Sequence, residues 1–215
     1  MSDLLRPEFF SSLGKGLLVT LQIAATAIVL SFFFGTLVGI ARYSRHPILG
    51  RLAAIYVEAI RNVPLLLLIL FARFVSRLKP VNAGIAAMTV FTTAIIAEIV
   101  RGGLISVDKG QWEAARSQGF SYWQTLRHIV LPQALRRMIP PLLSQFTTVI
   151  KDTSYVWVVG VEELTGKGMI ILGQFSSTAA FFAVFGFIGL VYFVLNFVLG
   201  QVARRQEARL RMAGF

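Results

Sequence analysis

Two adjacent ionisable residues, Lys151 and Asp152, lie in a stretch of the chain that is otherwise apolar. An ionisable side chain is expensive inside a membrane-spanning segment, so it marks a candidate functional position. Because neighbouring residues on a helix point in different directions, the two charges need separate partners, and a ligand such as an amino acid would supply them. At helical spacing Gln145 and Thr148 share the face of Asp152, and Ser154 shares that of Lys151. The alternative is a structural salt bridge to another helix.

Two further charged pairs have the i,i+3 spacing that brings side chains together on a helix. They are Glu58 with Arg61, and Glu98 with Arg101. Each pair is expected to neutralise its own charges and to join neighbouring helices. The alternative is that the pair lies on a solute pathway. Arg61 is kept as a pathway candidate, because Pro64 follows one turn later and can open backbone carbonyls toward a cavity.

The composition indicates an integral membrane protein. Of the 215 residues, 56% are hydrophobic and 14% charged, whereas soluble domains carry about 25% charged residues. The net charge of +11 does not indicate nucleic-acid binding, because most basic residues lie in short loops between apolar stretches. The chain contains no cysteine, no phosphate-binding loop and no metal-spaced cluster in its apolar stretches, so we expect no metal site and no catalytic residue.

Apolar stretches of about 20 residues, the length that crosses a bilayer, predict an all-α integral membrane fold with about five transmembrane helices in a single domain, residues 1–215. The expected spans are residues 17–41, 52–75, 83–101, 138–160 and 179–202. The polar stretch 162–167, followed by the apolar residues 169–172, predicts a short interfacial helix.

The basic residues predict an orientation, since cytoplasmic loops carry an excess of lysine and arginine. The loop after the first span, the polar stretch before the fourth span and the C-terminus together hold thirteen of them, against six on the opposite side. We therefore expect the N-terminus outside and the C-terminus in the cytoplasm. The polar stretch at residues 106–132 then also faces the cytoplasm.

This polar stretch has the pattern of a helix, a turn and a second helix. Gly119 separates a helical pattern at 111–118 from a second one that begins at Ser121, with Gln124 three residues later as a capping box. Pro132 is expected to end the second helix at the preceding residue. Without further context the stretch is a solvated connection between two spans.

The same stretch resembles the EAA signature of permease subunits of ABC importers. Every fixed position of that signature is matched, by Glu113, Ala114, Ala115, Gly119, Ile129, Leu131 and Pro132. Segments 16–22, 58–65, 97–104 and 151–154 resemble recurring blocks of the polar amino acid permeases, the histidine/glutamine/glutamate uptake branch. The resemblance covers most of the chain from Gly16 to the last span, and it implies a multi-pass protein of the plasma membrane.

The resemblance also implies how the chain is driven. A short coupling helix, here about 111–118, would sit in a groove of a cytoplasmic ATPase dimer, with Glu113 as an anchor, Ala114 and Ala115 permitting close approach, and Gly119 making the turn. ATP and Mg²⁺ would be bound by that ATPase, so this chain needs no cofactor and is not an enzyme. A second permease subunit, identical or different, completes the pore, and an extracytoplasmic substrate-binding protein docks at about 162–174.

The identity of the transported solute follows less directly from the sequence. In related permeases the Lys-Asp-Thr-Ser block lies by the substrate, and carriers of cationic amino acids are expected to have an acidic residue six positions before its lysine. This chain has Gln145 there, which favours glutamine, or glutamate assisted by Lys151. The alternatives are an importer for methionine, phosphonate or a metal, and, from another class, a channel or membrane-embedded enzyme. The candidate pathway residues are Arg61, Gln145, Thr148, Lys151, Asp152 and Ser154.

Overall fold

The computed structural model describes residues 7–44, 46–175 and 177–212, and all regular structure in these ranges is helical. The α-helices are α1 Pro7–Tyr43, α2 Leu49–Arg61, α3 Leu65–Val75, α4 Pro80–Ile105, α5 Lys109–Ser117, α6 Tyr122–Thr125, α7 Leu131–Asp152, α8 Leu164–Leu172 and α9 Thr178–Met212. A π-helical turn, Leu126–Val130, joins α6 to α7, and a 3₁₀-helix, Thr153–Val159, follows α7. Arg6 and Arg45, which were counted for the orientation, lie outside the described residues.

Three of these helices are long and apolar enough to cross a membrane: α1, α4 and the Thr178–Gln206 part of α9. They contain the predicted spans 17–41, 83–101 and 179–202. α2 and α3 provide a fourth crossing if the two are counted as one bent span. The predicted span at 138–160 falls on α7 and the 3₁₀-helix, and α7 carries Arg136, Arg137, Lys151 and Asp152. The all-helical membrane architecture is therefore as predicted, with three to four apolar crossings in the described ranges.

The predicted span over residues 52–75 is divided between two helices, because the chain breaks at residues 62–64. α2 ends at Arg61, α3 begins at Leu65, and the two helices are bent by 101°. Pro64 has φ −59° and ψ 133°. It lacks a backbone N–H and disfavours a helical conformation at Val63. The Asn62 side chain occupies the end of α2, where its amide donates to the Glu58 carbonyl at 2.6 Å.

α4 is the central helix and packs against α1, α2, α3 and α7. On α1 a buried small residue recurs at every fourth position from Ala27 to Gly39. A Cβ added to Gly35 would lie 2.7 Å from Ile96 Cβ, and one added to Gly39 would lie 2.7 Å from the Ala97 carbonyl oxygen. The backbones of α1 and α4 therefore approach closely, as small residues permit for helices packed in a membrane.

Two apolar clusters fix the connecting segments to this frame. One lies between α4 and α7 and includes Val107 and Val130 from the connection between them. The other joins α1, α8 and α9 through Leu13, Leu164 and Val184. The α4–α7 connection and α8 are therefore both held against the membrane helices by buried side chains.

Candidate functional site

The first helix of the α4–α7 connection, α5, begins at Asp108, whose side chain accepts a hydrogen bond from the Gly110 backbone at 2.6 Å. It ends at Gln118 and is followed by Gly119 with φ +82°. This left-handed conformation is open to glycine at little cost and is disfavoured for residues with a Cβ. The predicted turn at Gly119 is confirmed.

The candidate coupling residues divide between two sides of α5. Glu113 and Ala114 are exposed, whereas Ala115 is only 4% exposed. The Ala115 carbonyl accepts a hydrogen bond from the Phe120 backbone at 3.0 Å. The outer surface therefore carries Glu113 and Ala114, while Ala115 gives room for the chain's own turn at Gly119.

The second helix begins with the predicted capping box. Gln124 Oε1 accepts from the Ser121 backbone at 2.8 Å, and Ser121 Oγ accepts from the Gln124 backbone at 3.3 Å. The expected end of this helix at Pro132 is wrong, because α7 continues through it. The residue four positions earlier, His128, lies in the π-helical turn. The wider turn removes the need for the hydrogen bond that Pro132 cannot donate and accommodates its ring.

Side-chain contacts fix this connection to the ends of α4 and α7. Val130 is fully buried against the cluster that contains Val100 and Leu104. Arg137 of α7 donates to the Ser106 carbonyl at the end of α4. A cavity of about 790 Å³ separates α5 and α6 from the ends of α1 and α4, and its lining includes Glu113, Arg116 and Lys109. The connection is therefore held to α4 and α7 by Val130 and Arg137, while α5 itself faces this cavity.

A network of charges connects α1, α2 and α4. Arg42, whose side chain is 15% exposed, donates to Glu98 at 2.5 Å and to Glu58 at 2.6 Å. Arg101 pairs with Glu98, as its spacing predicts. The predicted pair of Glu58 with Arg61 is wrong, since Glu58 pairs with Arg42, and Arg61 Nη1 lies 4.0 Å from Glu98 Oε2. The partner comes from a different helix, which spacing within α2 could not reveal.

The last turns of α7 carry polar groups that the protein leaves unpaired. Among the described residues, neither Lys151 nor Asp152 forms an ion pair within 4.0 Å, although Asp152 is half-buried. The amide nitrogen of Gln145 is buried and has no hydrogen-bond partner in the described part of the chain. Thr148, by contrast, donates to the Ser144 carbonyl of its own helix at 3.2 Å. Near this helix end, two charges therefore lack an ion pair and one buried amide nitrogen lacks a hydrogen bond within the described residues, whereas Arg61 lies in the charge network.

The chain changes helix type directly after Asp152, so the predicted span over 138–160 combines the C-terminal part of α7 with the 3₁₀-helix. Thr153 and Ser154 lie in the 3₁₀-helix, where side chains repeat every three residues. Ser154 therefore does not share a helix face with Lys151, as an α-helix over this stretch would require. The segment ends at Gly160, which has φ +84°.

Sequence reasoning missed Glu163, which it placed in a polar surface stretch. The residue is 0% exposed and caps α8, with its carboxylate accepting from the Gly166 backbone at 2.7 Å and the Thr165 backbone at 3.0 Å. The Thr20 and Tyr192 hydroxyls of α1 and α9 donate to the same carboxylate at 3.3 and 3.0 Å. Burial raises the pKa of Glu163, and these four hydrogen bonds oppose the rise. The only sequence signal was the pair of polar residues, Thr20 and Tyr192, inside apolar spans.

Comparisons with known proteins agree with this architecture. Residues 17–212 match the family model described as binding-protein-dependent transport system inner membrane component. The chain is 48% identical to the probable glutamine ABC transporter permease protein GlnP of Bacillus subtilis (strain 168), over 94% of this chain and 95% of that protein. It is 36% identical to the glutamine transport system permease protein GlnP of Escherichia coli (strain K12), over 90% of this chain and 92% of that protein.

Solved structures show the same fold. A crystal structure of an amino acid ABC transporter with histidines superposes with a TM-score of 0.86 at 29% identity, covering 94% of this chain and 95% of that one. An inward-facing structure of the MetNI methionine ABC transporter superposes with a TM-score of 0.77 at 20% identity, covering 94% of this chain and 99% of that one. The second likeness concerns the fold alone.

Proposed function

We propose that this chain, which belongs to the family of inner membrane components of binding-protein-dependent transport systems, carries glutamine or a closely similar polar amino acid. It is the membrane-spanning permease subunit of an ABC importer and a multi-pass protein of the cell membrane. As a permease it is not itself a catalytic enzyme. The names of its glutamine-transporting relatives support this cargo.

The observation that carries the cargo proposal is the set of unpaired polar groups on α7. The carboxylate of an amino acid suits Lys151, its ammonium group suits Asp152, and its side-chain carbonyl suits the buried amide nitrogen of Gln145. A buried donor without an acceptor costs about 1–3 kcal/mol, so a ligand that supplies the acceptor gains affinity. We place Thr148 and Ser154 beside this group and Arg61 elsewhere on the pathway.

We further propose that α5 couples the permease to an ATPase dimer, which binds ATP and Mg²⁺. Glu113 and Ala114 supply the outer docking surface, Ala115 and Gly119 shape the turn, and Val130 carries the displacement into the helix bundle. In this arrangement the N-terminus is outside, the C-terminus is cytoplasmic, and α7 makes a fifth crossing. A second permease subunit completes the pore, and a substrate-binding protein docks at 162–174.

Direct binding of radiolabelled glutamine to the purified transporter complex, in the absence of the substrate-binding protein, tests the cargo proposal. We expect unlabelled glutamine and glutamate to compete better than arginine. Gln145→Glu should reverse this order, weakening competition by glutamate about tenfold, which corresponds to 1.4 kcal/mol. An equal loss for all three amino acids would mean a general defect. An unchanged order would exclude Gln145 from the site.

Substitution at Gly119 tests the coupling. Gly119→Val should abolish ATP-driven uptake in proteoliposomes, because a β-branched residue strongly disfavours φ +82°. Gly119→Asn is the matched control and should retain uptake, since asparagine tolerates the left-handed conformation. Among the described residues, apart from its two chain neighbours, nothing lies within 4 Å of a Cβ added at Gly119, so the Cβ that both variants share causes no overlap and backbone preference distinguishes them. Equal uptake in both would contradict the coupling role.

A further inference from the structure

Glu163 lies at a junction of four segments of the chain. Its carboxylate receives the Thr20 hydroxyl from α1, the Tyr192 hydroxyl from α9 and two backbone N–H groups from the first turn of α8. The Tyr192 oxygen also lies 3.4 Å from Thr153 Oγ1, in the 3₁₀-helix. One buried charge therefore links α1, α8 and α9 to the segment that directly follows Asp152.

The donor and acceptor in each of these hydrogen bonds follow from the chemistry of the groups. An ionised carboxylate only accepts, so the Tyr192 hydroxyl must donate its single proton to Glu163. Its oxygen can then only accept, and the Thr153 and Thr165 hydroxyls lie 3.4 and 3.5 Å from it. The Thr153 hydroxyl proton is shared with the Ile150 carbonyl at 2.7 Å. Thr153 is 0% exposed, so water does not supply an alternative partner. The Tyr192 ring packs against the apolar clusters on both sides of the junction, so its hydroxyl is held in place.

Capping of α8 does not by itself account for this arrangement. The two backbone bonds from Thr165 and Gly166 already cap the helix. The Thr20 hydroxyl belongs to the cap as well, because it accepts from the Leu164 backbone at 3.1 Å. The Tyr192 hydroxyl accepts from no backbone N–H of the cap among the described residues, and it reaches from Glu163 to Thr153 at the start of the 3₁₀-helix. A second contact fixes the same segment from the other side, where Gly84 of α4 leaves no room for a Cβ against Val156.

We propose that Glu163 and Tyr192 are a positioning pair that holds the Thr153–Ser154 segment in register with Asp152 and so sets the affinity for the amino acid. The pair acts through Thr153 and does not touch the solute. This inference rests on the proposed solute site at the end of α7. According to this inference Tyr192, an aromatic residue in an apolar span, helps to set the amino acid concentration at which the transporter is half-saturated.

The position of the segment can be measured without reference to transport. Because the chain has no cysteine, Ser154→Cys gives this chain a single thiol. The rate at which that thiol reacts with a maleimide in the assembled transporter, followed on this chain after the subunits are separated, reports the segment's exposure. Adding Tyr192→Phe, which removes one oxygen and keeps the ring, should raise this rate at least about fivefold. Tyr56→Phe, which removes a hydroxyl bonded to the Val90 carbonyl at 2.7 Å, is the matched control and should leave it unchanged. An unchanged rate in Tyr192→Phe would overturn the proposal.

A second, functional test measures the affinity for radiolabelled glutamine and the uptake rate at saturation. Tyr192→Phe and Glu163→Gln should both weaken half-saturation severalfold while the maximal rate stays near that of the wild type. Thr153→Ser, which keeps the hydroxyl, should behave as the wild type, and Thr153→Val should reproduce Tyr192→Phe. If Glu163→Gln does not assemble, Tyr192→Phe decides alone. A loss of maximal rate with unchanged half-saturation would indicate a purely structural role and overturn the inference. If Lys151→Met also leaves affinity unchanged, the proposed solute site itself fails.

Discussion

Two groups of charged side chains differ in whether the protein supplies their partners. One is the network at the ends of α1, α2 and α4, and the other is the charged end of α7. In the network Arg42 bridges Glu58 and Glu98, and Arg101 binds Glu98 from one turn away. On α7 the two adjacent charges have no ion-pair partner among the described residues. In the sequence both look the same, as ionisable residues inside apolar stretches.

The difference supports the separate functions proposed for these two groups of charges. A compensated network fixes helices to one another and has little left to offer a ligand. An uncompensated charge costs free energy until a partner arrives, which is a useful property where a zwitterion must bind and leave. Glu163 shows a third arrangement, in which neutral hydroxyl and backbone donors satisfy a buried carboxylate.

The largest effect is expected from removing the centre of the network. Arg42→Met should lower the free energy of unfolding by about 2 kcal/mol, between the values for exposed and buried ion pairs. Glu58, whose side chain is 59% exposed, then loses its partner, and Glu98 keeps only Arg101 and the more distant Arg61. Denaturant unfolding of the purified complex in detergent measures the change. Combining Arg42→Met with Glu58→Gln should recover part of the loss, since the stranded charge is then removed.

Arg61 provides the control for this prediction. Its side chain is 42% exposed and reaches Glu98 only at 4.0 Å, so Arg61→Met should cost less than about 1 kcal/mol, as exposed ion pairs do. Equal losses for Arg42→Met and Arg61→Met would mean that Arg42 does not organise the network. The proposed stabilising function of the compensated network, in contrast to the uncompensated charges of α7, would then be contradicted.

Local signals in the sequence were sufficient where the deciding contacts are close in the chain. The turn at Gly119 and the capping box at Ser121 and Gln124 depend on residues within a few positions, and both were predicted. The pairing of Glu98 with Arg101 is also local. The long apolar helices could be read from composition alone, because only helices satisfy their backbone within the membrane.

Features decided by distant parts of the chain could not be read in this way. Arg42 reaches Glu58 from another helix, and Thr20 meets Glu163 from 143 residues away. The break at Pro64 and the passage of α7 through Pro132 show the same residue type with opposite outcomes. A π-helical turn precedes Pro132, and its presence is not visible in the residue pattern.

The smallest change in stability is expected at the end of α7, and it tests the comparison most directly. Lys151→Met and Asp152→Asn should each leave the free energy of unfolding unchanged or raise it, because no ion pair is lost and an uncompensated charge is removed. Both should nevertheless weaken glutamine binding at least tenfold, or 1.4 kcal/mol, since each removes a charge that the zwitterion needs. Unfolding and binding are measured on the same purified complex. Destabilisation as large as that of Arg42→Met would show that these charges are paired within the assembled transporter, and the two groups would then have the same function.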